Sequence, residues 1–155
     1  MNRIAYKVNG TGRNATLSKS GNCSSGNLYI VRTTDEDRNV SCLFTDKLGR
    51  MVLQRWVIGS DNHDTYYVYD NRGNLRFVLP PRIRDEGISQ DKLDALAYCY
   101  RYDSRDRCVW RMLPGCDAVR YVYDKADRLI FVQDGNLKGQ GRWRFTIPDA
   151  FGRTV

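Results

Sequence analysis

Apolar and aromatic residues alternate with polar ones along most of this chain, in short runs that end at an aspartate. The clearest runs place two aromatic side chains two positions apart, directly before the aspartate, at residues 67–70, 100–103 and 121–124. Residues at i and i+2 lie on the same face of a β-strand, where aromatic side chains suit a half-buried surface. The alternation therefore predicts short β-strands that end at turns.

Each run belongs to a longer motif: aromatic, any residue, aromatic, Asp, two residues, Gly or Asp, then Arg or Asn. Weaker copies occur at residues 43–51 and 146–154. The motif aspartates stand at positions 46, 70, 103, 124 and 149, so their spacings are 24, 33, 21 and 25 residues. Self-similarity at such a period is typical of repeat architectures.

The motif predicts a β-hairpin. Its aspartate is a preferred first residue of a type I turn, because the carboxylate accepts backbone N–H groups two residues on. The glycine three positions later suits a left-handed backbone, and Asp106 and Asp127 replace it in two copies because Asp tolerates that conformation. The residues to which we assign this structural role are Asp46, Gly49, Arg50, Tyr67, Tyr69, Asp70, Gly73, Tyr100, Tyr102, Asp103, Arg107, Tyr121, Tyr123, Asp124, Arg128, Asp149, Gly152 and Arg153.

Two stretches before the strongest copies differ from the motif. Residues 33–40 keep its offsets with Arg38 in the glycine position, and they predict one further turn between two strands. Residues 8–27 are rich in Gly, Ser, Asn and Thr, so residues 1–27 are predicted to form a loosely ordered N-terminal arm with at most one short strand. We therefore expect this arm to precede a repeat β-sheet domain over residues 28–155.

A third stretch interrupts the hairpins. Pro80 and Pro81 predict the end of a strand, because proline cannot donate to a β-ladder. Residues 89–97 then predict a short helix, with Ser89 as N-cap and Asp91 in the first turn, which covers the rim of the sheet. The expected fold is mainly β: consecutive antiparallel β-hairpins form a curved repeat sheet, with one short helix near residues 89–97.

Composition agrees with one ordered domain. The chain has 155 residues, 41% hydrophobic and 12% aromatic, with ten Tyr, which is enough for a core and argues against disorder. The sequence contains no run of about 18 apolar residues, so it predicts no membrane-spanning helix. The first residues of this chain lack the apolar stretch of a signal peptide.

The repeated Tyr-x-Tyr-Asp-x-x-Gly-Arg-Leu pattern resembles the YD (tyrosine–aspartate) repeat of bacterial RHS proteins, which animal teneurins share. The resemblance covers about residues 28–155. It implies a segment of a cell-envelope or secreted protein in which hairpins join one long sheet that spirals into a hollow shell. Such shells commonly enclose a C-terminal toxin or other effector, and their repeats are scaffold. The aspartate–proline segment in which the shells cut themselves has no match, since Asp149 follows a proline.

The resemblance departs from the family in repeat number, because the chain holds only four to six turns. It stops where the fifth motif should begin its return strand. We therefore expect a segment of a longer repeat array. The expected partners are the rest of that array, or a second copy that adds a strand at an open sheet edge, or a glycan or protein partner.

Charge leaves a second function open. Twenty-five Lys and Arg against eighteen Asp and Glu give a net charge of +7. Arginines at motif positions can pair with turn aspartates or stack on tyrosines of the adjacent hairpin, and the other basic residues are scattered, so nucleic acid is not the expected partner. An acidic glycan needs only a diffuse basic face with exposed aromatics. The alternative to a scaffold is thus a carbohydrate-binding module that uses exposed Tyr and Arg with Trp56, Trp110 and Trp143 as stacking surfaces.

Candidate catalytic chemistry is sparse. His63 is the only histidine, and we expect it with Asp61 and Asp64 in a polar loop that could contact a metal but is more typical of solvated side chains. The acidic run 35–37 could hold Ca²⁺ weakly, although its spacing is not that of an EF-hand. We predict neither catalytic residues nor a metal or other cofactor.

Five cysteines without a C-x-x-C pair speak against a structural zinc site and favour buried free thiols. Cys99 and Cys108 flank one predicted turn. Whether they face each other across the hairpin depends on the strand register, which the sequence leaves open.

Overall fold

The structure is a computed structural model that describes residues 4–10, 16–83, 88–147, 149 and 153. Within these residues the chain forms twelve strands and two helices. In chain order they are β1 (Ile4–Asn9), β2 (Thr16–Asn22), β3 (Tyr29–Thr34), β4 (Val40–Thr45), β5 (Met51–Ile58), β6 (Asp61–Tyr69), β7 (Leu75–Leu79), α1 (Gln90–Leu96), β8 (Tyr98–Tyr102), β9 (Cys108–Met112), β10 (Val119–Tyr123), β11 (Leu129–Gln133), α2 (Gly135–Gly139) and β12 (Arg144–Phe145).

Strands β3 to β12 form one sheet in which each strand pairs with its neighbours in the chain. Every described pairing is antiparallel, so the sheet is a row of consecutive hairpins. The sheet does not close on itself, since β3 lies at one edge and β12 at the other. The predicted fold class is confirmed: a mainly β, open antiparallel sheet consistent with the expected curved repeat sheet.

Every second connection lies at the same end of the sheet, because neighbouring strands run in opposite directions. Four described turns that begin with a motif aspartate therefore stand side by side at one end, and Asp149 and Arg153 follow them. We call this set the turn row: residues 46–50, 70–74, 103–107 and 124–128, with Asp149 and Arg153. The predicted further turn at residues 35–39 is present at the opposite end, where Arg38 has a φ of 65°.

The N-terminal segment contains more regular structure than the sequence predicted. Strands β1 and β2 pair as a hairpin, and this hairpin packs on one face of the large sheet. Tyr6 meets Tyr66 of β6 in an edge-to-face contact with ring centroids 5.0 Å apart. The sequence did not predict β2 because the strand contains Gly and Ser. It forms a strand through packing on a sheet made by later residues.

Helix α1 and the N-terminal hairpin cover the same sheet face, which we call the covered face. The predicted helix is confirmed: the Ser89 hydroxyl accepts from the Lys92 N–H at 3.3 Å, and the helix ends before Ala97. The second helix, α2, was not predicted. The buried cluster beneath the cover comprises Val8, Val68, Phe77, Leu79, Ile83, Leu93, Ala97, Cys99 and Met112.

The sheet edge at β3 is open to solvent. All six residues of the strand are exposed, including Tyr29, Ile30 and Val31. Among the residues that the structure describes, no helix is long and apolar enough to cross a membrane.

Candidate functional site

The motif aspartate organises its own turn. In turn 103–107 one carboxylate oxygen of Asp103 accepts the backbone N–H groups of Arg105 and Arg107, at 2.9 and 3.0 Å. The other oxygen accepts the Arg107 Nε–H at 2.7 Å. The backbone closes the turn as well, because the Asp103 N–H donates to the Arg107 carbonyl at 3.0 Å. One carboxylate thus fixes both the turn and the arginine that leaves it.

The same arrangement recurs along the turn row with one variation. The pair formed by an aspartate and the arginine four residues later is present in turns 46–50 and 124–128 and between Asp149 and Arg153, with Nε–O distances of 2.7–2.8 Å. In turn 70–74 the fifth residue is Asn74, and Asp70 instead pairs with the buried Arg76 at 3.4 Å. Gly152 lies outside the described residues.

The fourth residue of each described turn has a left-handed backbone. Gly49 and Gly73 have φ values of 77° and 89°, and Asp106 and Asp127 have φ values of 59° and 62°. The two aspartates add a contact that glycine cannot make. The Asp106 carboxylate accepts from Asn74 at 2.8 Å, and the Asp127 carboxylate accepts from Arg107 at 2.7 Å.

These contacts join neighbouring turns. Arg72 donates to the Ser104 carbonyl at 2.9 Å, and Arg105 donates to the Lys125 carbonyl at 3.0 Å. Arg107 also donates to the Asp124 carbonyl at 3.0 Å. The last described bond of this kind runs from Arg128 to the carbonyl oxygen of Asp149, at 3.2 Å. The turns from residue 70 onward are therefore linked one to the next.

Where a tyrosine stands directly before the motif aspartate, its hydroxyl links hairpins in the opposite direction, from the later hairpin to the earlier one. Tyr69 donates to the Met51 carbonyl at 3.0 Å, and Tyr123 donates to the Cys108 carbonyl at 2.9 Å. Both acceptors stand at a register shift, where two residues of the return strand oppose one residue of the partner strand. A bulge displaces a carbonyl from the regular ladder, so the next hairpin's hydroxyl can reach it.

Arginines also stack on these tyrosines. The guanidinium of Arg50 lies 5.0 Å from the Tyr69 ring centroid, and that of Arg107 lies 4.9 Å from the Tyr123 centroid. Each of these arginines therefore contacts its own turn aspartate and the aromatic ring of the next repeat. A cation over an aromatic face is attracted by the ring quadrupole.

The turn bonds alter the acidity of the groups that form them. Desolvation alone would raise the pKa of Asp103, but the side-chain and backbone donors of Arg107 and the backbone of Arg105 lower it below its ordinary value. Desolvation would likewise raise the pKa of Asp46, but hydrogen bonds from Arg50 and Leu48 lower it below its ordinary value. Burial raises the pKa of Tyr102 to about 12.

The first tyrosines of the motif lie on the face opposite the covered face. Tyr67 donates to Gln54 at 3.4 Å, and Tyr100 stands opposite Arg111 in the ladder. Arg111 lies 5.7 Å from the Tyr121 ring centroid. These tyrosines are half-buried, and they contact neighbouring strands of the same sheet.

The three tryptophans do not form one surface. Trp56 of β5 is 47% exposed and stands opposite His63, on the face away from the cover. Trp110 of β9 is half-buried and packs against the buried cluster of the covered face. Trp143, between α2 and β12, is 41% exposed and lines one groove together with Trp110.

This groove lies where the cover ends, over strands β8 to β10. It has a volume of about 370 Å³ and is lined by Arg101, Val109, Trp110, Arg120, Tyr121, Val122 and Trp143. We call it the Trp110–Trp143 groove. The sequence analysis selected the two tryptophans but missed Arg101 and Arg120. Both arginines stand opposite Trp110 on the neighbouring strands and so share its face of the sheet.

The residues considered for metal binding do not converge. His63 and Asp61 lie on β6, so the predicted polar loop is wrong, because the turn is only Gly59 and Ser60 and the strand begins at Asp61. Asp64 forms a two-pronged pair with the buried Arg55, with both N–O distances 2.6 Å. Among the described residues, no group of three His, Cys, Asp or Glu could hold a metal ion.

The acidic run 35–37 is likewise engaged in its turn. Asp35 accepts the backbone N–H of Asn39 at 2.7 Å and its side-chain amide at 2.9 Å. These bonds lower the pKa of Asp35. The carboxylate therefore stabilises the turn at the end of the sheet opposite the turn row.

The cysteines are all free thiols. Cys99 stands opposite Met112, and Cys108 stands opposite Tyr102, so the two do not face each other across the hairpin. Cys99 is buried in the core cluster, and this burial raises its pKa to about 11. A protonated, enclosed thiol of this kind is a poor nucleophile.

Comparisons with known proteins add no relative. No protein-family model matches the chain, and no curated protein matches its sequence.

Proposed function

We propose that the chain is a non-catalytic structural repeat segment of an RHS-like β-shell, which contributes scaffold and interaction surface. The observation that carries this proposal is the use of the motif side chains. In the described turns, the motif aspartates fix their own turns and the arginines that leave them, and those arginines and the tyrosines before the aspartates contact a neighbouring turn or hairpin. Such nearest-neighbour contacts are what stabilise repeat arrays.

The open edge at β3 supports a role in a larger wall. An exposed strand with three neighbouring apolar residues presents backbone donors and acceptors that another strand can pair with. In the proposed function this edge receives a further strand, either from the rest of a repeat array or from a second copy of the chain. Encapsulation or cell-surface contact would then be a property of the assembled shell.

Light scattering across a concentration series tests this role. We expect a dimer or larger species whose fraction rises with protein concentration. The double variant Ile30→Lys/Val31→Lys should shift it to a monomer, because charges on an edge strand oppose strand addition. Leu48→Lys, at an exposed position in the turn row, is the control and should leave the mass unchanged. A monomer at every concentration would contradict the proposed edge.

A second candidate function, carbohydrate binding, is favoured by one observation. The Trp110–Trp143 groove presents aromatic side chains beside arginines, outside the interlocked turn row. Ligand sites commonly combine apolar and aromatic walls with a few polar groups in volumes of about 300–1,000 Å³. This function would coexist with the scaffold, since the two use different residues.

A further inference from the structure

Strand register places two arginines on either side of one tryptophan. Arg101 of β8 stands directly opposite Trp110 of β9, and Trp110 stands directly opposite Arg120 of β10. Directly opposite residues in an antiparallel pair lie on the same face, with Cβ atoms about 5 Å apart. The guanidinium of Arg101 lies 4.2 Å from the Trp110 ring centroid. The floor of the groove is therefore a cation, an aromatic ring and a second cation in one row.

Arg120 differs from the arginines of the turn row in its ion pairing. Arg107 pairs with Asp103 and Asp127, and Arg105 pairs with Asp127. Arg120 is exposed and forms no ion pair with a carboxylate in the part of the chain that the structure describes. Among the described residues, those that line the groove include no Asp or Glu. The groove is therefore complementary to an anion.

Trp143 supplies the aromatic wall. It meets Phe131 at 6.3 Å between centroids with an interplanar angle of 82°, and it remains 41% exposed. Phe131 in turn stacks on Phe145 of β12 at 4.8 Å. The indole is thus held by neighbouring rings while much of its surface faces solvent.

The loop that carries Trp143 is fixed on both sides. The buried Gln133 side chain donates to the Arg142 carbonyl at 3.1 Å, and the Arg142 N–H donates to the Leu137 carbonyl at 2.8 Å. Asp134 caps α2 by accepting the Leu137 N–H at 2.9 Å. A wall that is ordered before binding loses little conformational entropy when a ligand arrives.

We propose that the Trp110–Trp143 groove binds an acidic saccharide, with the sugar ring against Trp143 and its carboxylate between Arg101 and Arg120. This proposal rests on the second candidate function, and it specifies the class of ligand. A guanidinium suits a carboxylate because its N–H groups can donate two parallel hydrogen bonds. Single-stranded nucleic acid fits less well, since it requires successive aromatic platforms along a basic track.

Isothermal titration calorimetry on the full chain tests the proposal with three probes: an oligogalacturonate, a neutral oligosaccharide of equal length, and oligo(dT). We expect binding of the oligogalacturonate only. Arg120→Gln should weaken it by about tenfold, as expected for loss of a charge-assisted hydrogen bond. Trp143→Ala should weaken it by a similar factor, and neither variant should change the melting temperature by more than a few degrees.

Two variants on the opposite face are matched controls. Arg111→Gln removes an exposed arginine from the same sheet, and Trp56→Ala removes a tryptophan of similar exposure. Both should bind the oligogalacturonate as the unmodified chain does. Equal loss in Arg111→Gln would reveal general charge attraction and overturn the groove assignment.

The probes separate failure of the inference from failure of the function on which it rests. Equal binding of the neutral and acidic sugars would overturn the acidic ligand and keep carbohydrate binding. Binding of neither sugar would overturn both, and would leave the scaffold function untouched. Tighter binding of oligo(dT) than of the oligogalacturonate would overturn the proposal in favour of a nucleic-acid site.

Discussion

The hydroxyl of Tyr102 donates a hydrogen bond to the backbone carbonyl of Leu75, 3.0 Å away and 27 residues earlier in the chain. Leu75 lies at the bulge of the preceding hairpin, where Tyr69 stands opposite it in the shifted register. The bond therefore joins two hairpins that are separated in sequence by α1. It indicates that this motif tyrosine, which is half-buried, connects neighbouring repeats.

Removal of this hydroxyl should destabilise the fold. We expect Tyr102→Phe to lower the free energy of unfolding by about 1 kcal/mol, because the Leu75 carbonyl loses its donor. Tyr102→Ala and Tyr123→Ala should each cost about 2 kcal/mol or more, since they also remove half-buried rings. Urea denaturation measures these differences.

Tyr98→Phe is the matched control for the hydroxyl. Tyr98 lies on β8 with Tyr102, and its hydroxyl forms no hydrogen bond with any residue that the structure describes. This variant should unfold at the same urea concentration as the unmodified chain. Unchanged stability in all three Tyr102 and Tyr123 variants would refute the structural role of these tyrosines.

The two carboxylate oxygens of Asp103 have separable roles. Asp103→Asn keeps an acceptor for the backbone N–H groups of Arg105 and Arg107 but replaces the oxygen that receives the Arg107 side chain. Asp103→Ala removes both, and should cost about 1–2 kcal/mol, similar to the loss of a helix cap. We expect the asparagine variant to lie between alanine and the unmodified chain in thermal denaturation. Equal losses would assign the whole effect to the arginine contact.

Aspartate in place of Gly73 should link its turn to the preceding turn, as Asp106 and Asp127 do in the later turns. A Cβ atom placed there would lie 3.8 Å from the Arg50 Nη1, whereas one at Gly49 meets nothing within 4 Å. Both glycines have positive φ, so Asp at either position bears a backbone cost of about 1 kcal/mol. Gly73→Asp should recover about 0.3–1 kcal/mol of this by pairing with Arg50.

Gly49→Asp is the control for that variant, because Gly49 also has a positive φ but no atom within 4 Å of an added Cβ. Chemical denaturation should rank Gly73→Asp above Gly49→Asp in stability. The difference should vanish when both are made in an Arg50→Gln background. A difference that persists in this background would exclude Arg50 as its source.

The free energy of unfolding should decrease both at low pH and at high pH. The lowered pKa values of Asp46, Asp103 and Asp124 mean that their contribution is present above the unfolded value near 4 and lost as pH falls through the folded values. The raised pKa of Tyr102 has the opposite sign: its contribution is present below about pH 10 and lost as pH rises towards about 12.

Melting temperature measured from pH 2 to 12 tests both limbs. The triple variant Asp46→Asn/Asp103→Asn/Asp124→Asn should flatten the decrease of melting temperature at low pH. Tyr102→Phe should move the decrease at high pH to a higher pH. An acid limb that keeps its slope in the triple variant would assign acid unfolding to other carboxylates.

Local chemistry made the turns, the strand order and α1 predictable from sequence. The Asp-to-Gly offset determines a turn within five residues, and the Ser89 cap and Leu93 lie within one helix. Proline at position 80 marks the end of β7. These features depend on neighbours in the chain, so the sequence carries them directly.

The groove and the N-terminal hairpin depend on contacts between distant residues. Arg101 and Arg120 flank Trp110 only because each strand has one particular register, and the bulges shift that register by a residue. A one-residue shift would move a side chain to the other face. Likewise β2 is a strand because Leu17 packs, partly buried, against a sheet formed by later residues. The bonds from tyrosine hydroxyls to bulge carbonyls could not be predicted for the same reason.

The described side-chain bonds between neighbouring turns all run in one direction, from donors in the earlier turn to acceptors in the later one. Each linked turn therefore offers the same acceptors to the hairpin before it. If the 21-residue unit from Asp103 to Tyr123 were deleted, Arg72 and Asn74 would meet Asp127 in place of Asp106. Gene segments that encode whole hairpins could thus be lost or duplicated by recombination while the junctions remain chemically matched.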